Sequence, residues 1–141
     1  DKKMKRFFMT KNQSVELILK AAEYAQGGET FVLKMPLILL NDLFDVMKEV
    51  IAPNYDLSPS KIKTKIIGIR PGEKITEYLL TDFELEHVLE TTDFFIIPSM
   101  FESSISKKYR NAKKPKNIKN YFENLKPISK LEIKKMLKDV Y

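Results

Sequence analysis

The sequence predicts a mixed α/β fold, α+β for a fragment standing alone, on three observations. Short β-prone runs alternate with apolar residues at helical spacing, in the order strand, helix, strand, helix. Two boxes of the form Ser/Thr-x-x-Gln/Glu mark helix starts. The chain has 141 residues, 43% of them hydrophobic and 31% charged, which suits one core-forming domain.

Lys5 to Met9 form a β-prone run that stops at Thr10. Thr10 and Gln13 make a capping box, so a helix is predicted to begin there, with Val15, Ile18, Leu19 and Ala22 as its inward face. Gly27-Gly28 ends it. Thr30 to Leu33 read as a strand, and Pro36 interrupts the chain. Asn41 is the predicted cap of a second helix, with Leu43, Phe44, Met47, Val50 and Ile51 inward, ending before Pro53. Lys65 to Ile69 are predicted as a third strand, followed by a helical turn carrying Leu79 and Leu80. His87-Val88-Leu89 and Phe94 to Ile97 read as a hairpin. Ser129 and Glu132 form the second capping box, opening a helix whose Ile133, Met136, Leu137 and Val140 share a face.

The absences exclude whole classes of chemistry. With no cysteine and one histidine, the chain has no disulfide, thiolate nucleophile or Cys-based zinc site. Its four glycines, at 27, 28, 68 and 72, cannot spell G-x-G-x-x-G or a P-loop. The longest apolar stretch, Met35 to Leu40, is too short for a membrane span, so a cytoplasmic location is expected. Asp1 as first residue reads as the interior of a longer reading frame, with Met4 as the alternative start.

The formal charge of +6 is unevenly spread. Residues 1–102 carry 13 Lys and Arg against 16 Asp and Glu, whereas residues 103–141 carry 12 against 3. The basic segment around residues 107–119 reads as a solvated connection. Its lysines, interleaved with Tyr109 and Tyr121, also fit a nucleic-acid-binding module.

The most specific motif is Gly68-Ile69-Arg70-Pro71-Gly72-Glu73-Lys74. Proline and glycine set a turn that aims Arg70, whose planar fork suits a phosphate. The same residues also read as an ordinary Pro-Gly turn between solvated charges. Arg6 and Thr10 stand at a strand end before a helix N-terminus, where an anion is favoured, and equally read as a surface cation and a cap. Tyr109 and Lys113 have Tyr-x-x-x-Lys spacing but lie in a basic, Pro-interrupted segment, so they carry no catalytic assignment. His87 reads as structural or surface.

Taken in order, Arg6-Phe7-Phe8-Met9-Thr10, Gly28-Glu29-Thr30-Phe31-Val32 with Lys34 and Pro36, and the Gly68 to Lys74 run resemble the carboxy-terminal part of extended short-chain dehydrogenase/reductases acting on nucleotide sugars. The nearest resemblance is to inverting UDP-N-acetylglucosamine 4,6-dehydratases and related polysaccharide-biosynthesis proteins. Asp93 to Pro98, and Ile128-Ser129 with Glu132-Ile133, extend it, and it weakens across residues 102–126.

That resemblance implies a small substrate-binding domain at residues 1–101, a basic connection at 102–127 and a terminal helix at 128–141. The Rossmann half, with NADP and the catalytic tyrosine-lysine pair, would lie elsewhere in the polypeptide, leaving this chain inactive alone and binding no cofactor. Arg70 would contact the pyrophosphate of a UDP-sugar, Glu73 would sit near the ribose or orient Arg70, and Arg6 and Thr10 would line the nucleotide pocket. A UDP-sugar 4-epimerase would share this grip. Phe31 to Leu33 and Leu37 to Leu40 are expected to face the missing half, which would leave an apolar patch or a homo-oligomer contact.

Overall fold

The structure is a computed structural model describing residues 1–99, 109 and 111–138. The chain forms two compact units, each assembled from separated stretches.

The first unit comprises Asp1–Thr10, Met35–Glu77 and Lys126–Tyr141. Strand β1 (Lys5–Phe7) pairs antiparallel with β3 (Leu37–Leu39), Arg6 opposite Ile38. The sequence reading missed β3 because it took Pro36 as a break. Proline lacks only the N–H, however, and its carbonyl accepts from the Phe8 N–H at 3.0 Å, so it opens the strand. Helix α2 (Leu40–Ile51) follows β3 without a loop, its cap being Leu39 rather than the predicted Asn41. The Leu40 N–H is satisfied by the Met4 carbonyl at 2.9 Å, and the Asn41 amide donates to Asp45 instead.

Helix α5 (Lys130–Lys138) lies along α2, and Ile38, Val46, Ile133 and Leu137 form the buried core between them. Leu43, Met47 and Val50 face it as predicted, whereas Phe44 is exposed. Val140 falls outside the described residues. Lys130 bridges to Asp42 and Asp45, and Lys134 to Glu49, along the rim. The capping box at α5 forms as predicted: the Ser129 N–H donates to the Glu132 carboxylate at 2.8 Å, and the Glu132 N–H to Ser129 Oγ at 3.3 Å. Ser129→Ala is therefore expected to cost about 0.5–2 kcal/mol, read as a lower urea midpoint at unchanged slope.

The predicted third strand does not form. Residues 62–70 have no assigned secondary structure, and Ile66, Ile67 and Ile69 are exposed.

The second unit comprises Lys11–Lys34 and Tyr78–Leu125. Its sheet has the order β2 (Thr30–Leu33), β5 (Phe94–Ile97), β4 (Leu89–Glu90), antiparallel throughout. The central strand is covered on both faces, which is why Phe-Phe-Ile-Ile is apolar without alternation. Phe94 and Ile96 pack with Tyr109, Phe31 and Leu33, and with Leu17 and Ala21 of α1 (Lys11–Tyr24). Phe95 packs on the other face with Leu80, Val88, Ile118 and Phe122. The helices contributing to that face are α3 (Asp82–His87) and α4 (Ile118–Asn124).

Four expectations need correction here. Helix α1 docks through Leu17 and Ala21, and the predicted inward residues Val15, Ile18 and Leu19 are 57–62% exposed. The apolar residues of this helix, seven of its fourteen, spread over more than one face, so periodicity cannot choose its side. Phe31 to Leu33 are half-buried within this unit, and Leu37 and Ile38 are buried in the first, so neither run is the exposed patch. Leu79 and Leu80 precede the helix; α3 starts at Asp82 behind a Thr81–Glu84 capping box and ends on His87, whose ring lies 4.9 Å from Phe83. The segment read as a solvated connection is partly built into the sheet. Tyr109 and Ile118 are buried, Lys113 exchanges two backbone hydrogen bonds with Glu90, and α4 forms.

Candidate functional site

Arg70, Pro71, Gly72 and Glu73 fold as a closed turn. The Glu73 N–H donates to the Arg70 carbonyl at 3.0 Å, and Glu73 Oε2 accepts from the Arg70 N–H at 2.9 Å. Gly72 has φ +84°, the value required after proline in a type II turn and one that a side chain would strain. The turn is thus fixed by its own backbone and by the Glu73 carboxylate. The Arg70 side chain is exposed and has no hydrogen bond or ion pair among the described residues. All its donors remain free for a ligand.

Arg6 projects from β1 onto the chain just past this turn. Its Nη1 donates to the carbonyls of Lys5 at 2.7 Å and Lys74 at 3.0 Å, and Nη2 lies 4.0 Å from Glu77 Oε1. The Lys5 N–H donates to the Ile75 carbonyl at 2.7 Å, so β1 and the segment after the turn are held together twice. Thr10 is buried, at 7% exposure, immediately before α1. Arg6, Thr10, Arg70 and Glu73 all belong to the first unit. The structure brings Arg6 to the residues following Glu73. Sequence reasoning missed the Arg6 link to Lys74, because nothing local records a contact between residues so far apart in the chain. The segment 61–74 adds Lys61, Lys63, Lys65 and Lys74 to Arg70, against one acid, Glu73. The resulting field favours an anion.

Other motif residues are tied down inside the second unit. The Lys34 ammonium is bound by Glu90 and the Thr91 carbonyl, each at 2.6 Å, and stands 4.8 Å from the Phe95 ring centre. Burial pushes the Glu29 carboxyl up, but the Gln26 backbone N–H and the Tyr109 hydroxyl outweigh it and hold the group below its ordinary value. A Cβ at Gly28 would come within 3.1 Å of Ser99, so this position needs glycine for space as well as for its positive φ. Tyr109 and Lys113 are not on a helix, and Lys113 is engaged through its backbone. The aromatic rings of the basic segment are committed to packing, Tyr109 against Phe31 and Tyr121 against Phe95 and Phe122.

None of the four glycines stands in a strand-to-helix turn. Gly27 and Gly28 follow a helix and precede a strand, Gly68 lies in unassigned backbone, and Gly72 closes a turn that opens no helix. None provides the strand-to-helix phosphate cradle such a group requires. Among the described residues, no group of three or more His, Asp or Glu side chains is arranged to hold a metal ion, and no helix is long and apolar enough to cross a membrane.

The solved structure of Pen from Bacillus thuringiensis superposes with a TM-score of 0.73 at 39% identity, covering 99% of this chain and 39% of that one. An uncharacterized membrane protein of Methanocaldococcus jannaschii is 46% identical over 67% of this chain and 28% of its own length. An inverting UDP-N-acetylglucosamine 4,6-dehydratase of Campylobacter jejuni is 31% identical over 69% of this chain and 26% of its length. A UDP-glucose 4-epimerase of Rickettsia akari is 30% identical over 95% of this chain and 38% of its length. The chain therefore spans between about a quarter and two fifths of these relatives. The family described as polysaccharide biosynthesis protein matches residues 1–99, and the chain belongs to that family.

Proposed function

We propose that this chain is the nucleotide-sugar grip of a cytoplasmic, NADP-dependent 4,6-dehydratase of the UDP-N-acetylglucosamine type, working in polysaccharide biosynthesis. The observation that carries the reading is the free Arg70 guanidinium on a turn locked by Pro71, Gly72 and Glu73. From a backbone position fixed before the ligand arrives, its planar fork can donate two parallel hydrogen bonds to the pyrophosphate. Arg6 adds a second cation beside the turn, Glu73 faces the ribose while holding the Arg70 backbone, and Thr10 lines the pocket wall. No redox or proton-transfer step is assigned to this chain; the cofactor and the catalytic tyrosine-lysine pair belong to the other half of the enzyme.

A 4-epimerase is the second reading, supported by the Rickettsia akari relative, which aligns along 95% of this chain. Both readings use the same hold on UDP.

Calorimetric titration with UDP tests this grip. The chain is expected to bind UDP, and Arg70→Ala to weaken binding about tenfold or more, the usual loss for a charge-assisted phosphate contact. Equal affinity in the variant would sink the assignment. Titration with single-stranded oligonucleotides at low salt is the control for the nucleic-acid reading, and no binding is expected.

A further inference from the structure

The run Lys63-Thr64-Lys65-Ile66-Ile67-Gly68-Ile69 has the composition of a strand and no strand to pair with among the described residues. No backbone N–H or C=O group of residues 63–69 has a hydrogen-bond partner among the described residues. Ile66, Ile67 and Ile69 are 47%, 63% and 45% exposed. Seven consecutive residues with unpaired backbone groups and three solvated isoleucines present what an edge strand presents, a row of groups that folded proteins pair, cover or charge.

A cleft of about 460 Å³ lies alongside. One wall is Ile62 to Lys65, and the others are Phe44, Met47 and Ile51 of α2 with Tyr55 and Leu57. Unpaired backbone beside an apolar cleft is the arrangement used to add a strand: main-chain hydrogen bonds supply affinity, and a side chain set in the cleft supplies selectivity. The rim charge narrows the occupant further. Lys48 is occupied by Asp45 at 2.9 Å and Thr64 at 3.2 Å, whereas Lys63 and Lys65 have no ion-pair partner among the described residues. The fitting segment is extended and apolar at alternate positions, with acidic rather than basic neighbours. Gly68, at φ +77°, bends the backbone out of strand geometry, which limits continuous pairing to residues 63–67.

We propose that residues 63–67 are an open strand position, filled by a strand from the remainder of the same, longer polypeptide. The source follows from length: the matched region is 39% of the solved neighbour and 26–38% of the curated relatives, so well over half of such a protein lies outside it. A tethered segment meets its site at an effective concentration of order millimolar, which no free peptide or second copy attains at ordinary protein concentrations. The inference rests on the reading of this chain as part of a larger enzyme.

Hydrogen exchange read by mass spectrometry tests it on the 141-residue chain and on the protein translated from the full reading frame. In the short chain the amides of 63–67 are expected to exchange at nearly the unprotected rate at every protein concentration. In the long one, alternate amides of this run are expected to slow by about a hundredfold or more, as paired strand amides do. Ile66→Pro in the long protein is expected to abolish that protection, while leaving UDP affinity of the short chain unchanged. Fast exchange in the long protein would overturn the proposal. So would protection in the short chain, whether constant or rising with concentration, since the edge would then be closed locally or by a second copy. Arg70→Ala titration reads the UDP grip and exchange reads the strand edge, so either can fail without the other.

Discussion

Phe95→Ala is expected to lower the unfolding free energy by about 3–5 kcal/mol. Phe95 is 1% exposed at the centre of the three-stranded sheet and touches every layer on its face. Its ring meets Tyr121 at 5.7 Å and Phe122 at 5.5 Å between centroids, and Lys34 stands over it. Truncation removes the apolar transfer energy, two aromatic contacts and a cation–π contact, and it opens a cavity that β-strand backbone cannot collapse to fill. Against a total stability of order 5–15 kcal/mol the loss is a large fraction. Urea denaturation measures it. Phe95→Leu, which keeps most of the volume, is expected to cost clearly less. A loss under about 1 kcal/mol for Phe95→Ala would mean that α4 is not seated on the sheet.

Ile133→Ala is expected to cost about 2–5 kcal/mol, by the same mechanism in the other unit. Ile133 is fully buried between α2 and α5 and meets Ile38, Val46 and Leu137. The two helices hold this core with one short strand pair beneath them, so there is little additional structure to share the loss. The control is Leu19→Ala on α1: apolar and at helical spacing like Ile133, but 62% exposed, and expected to change stability by about 0.5 kcal/mol or less. Urea midpoints that fail to separate these two variants would contradict the burial described for α5.

Sequence signals were reliable where the physics is local. Ser129 and Glu132 identify a helix start because each satisfies the other's backbone N–H within four residues, and that box is present. Pro71 and Gly72 specify a turn because they restrict or permit particular backbone angles, and that turn is present. The strands β2 and β5 were readable from dense β-branched and aromatic residues. Helix α4 was hidden because it is only seven residues long, with Ile118, Tyr121 and Phe122 as its apolar residues, and it follows a stretch crowded with lysines. The side of α1 was illegible because its apolar residues offer two faces and only the sheet selects one.

The amino-acid sequence by itself determined the strands β1, β2 and β5, the helices α1, α2 and α5, the Ser129–Glu132 capping box, the Arg70 turn and the exclusion of cysteine, P-loop and glycine-fingerprint chemistry, because each depends on residues a few positions apart. Tertiary structure alone decided that Arg6 reaches the carbonyl of Lys74, that Lys34 and Glu90 close on one another, and that residues 63–67 have no partner strand among the described residues. Those outcomes depend on which segments meet across 50 or more residues of chain, or fail to meet at all. Pairing between distant segments is set by competition among all available surfaces, and a β-prone run becomes a strand only when another supplies the opposite row of hydrogen bonds.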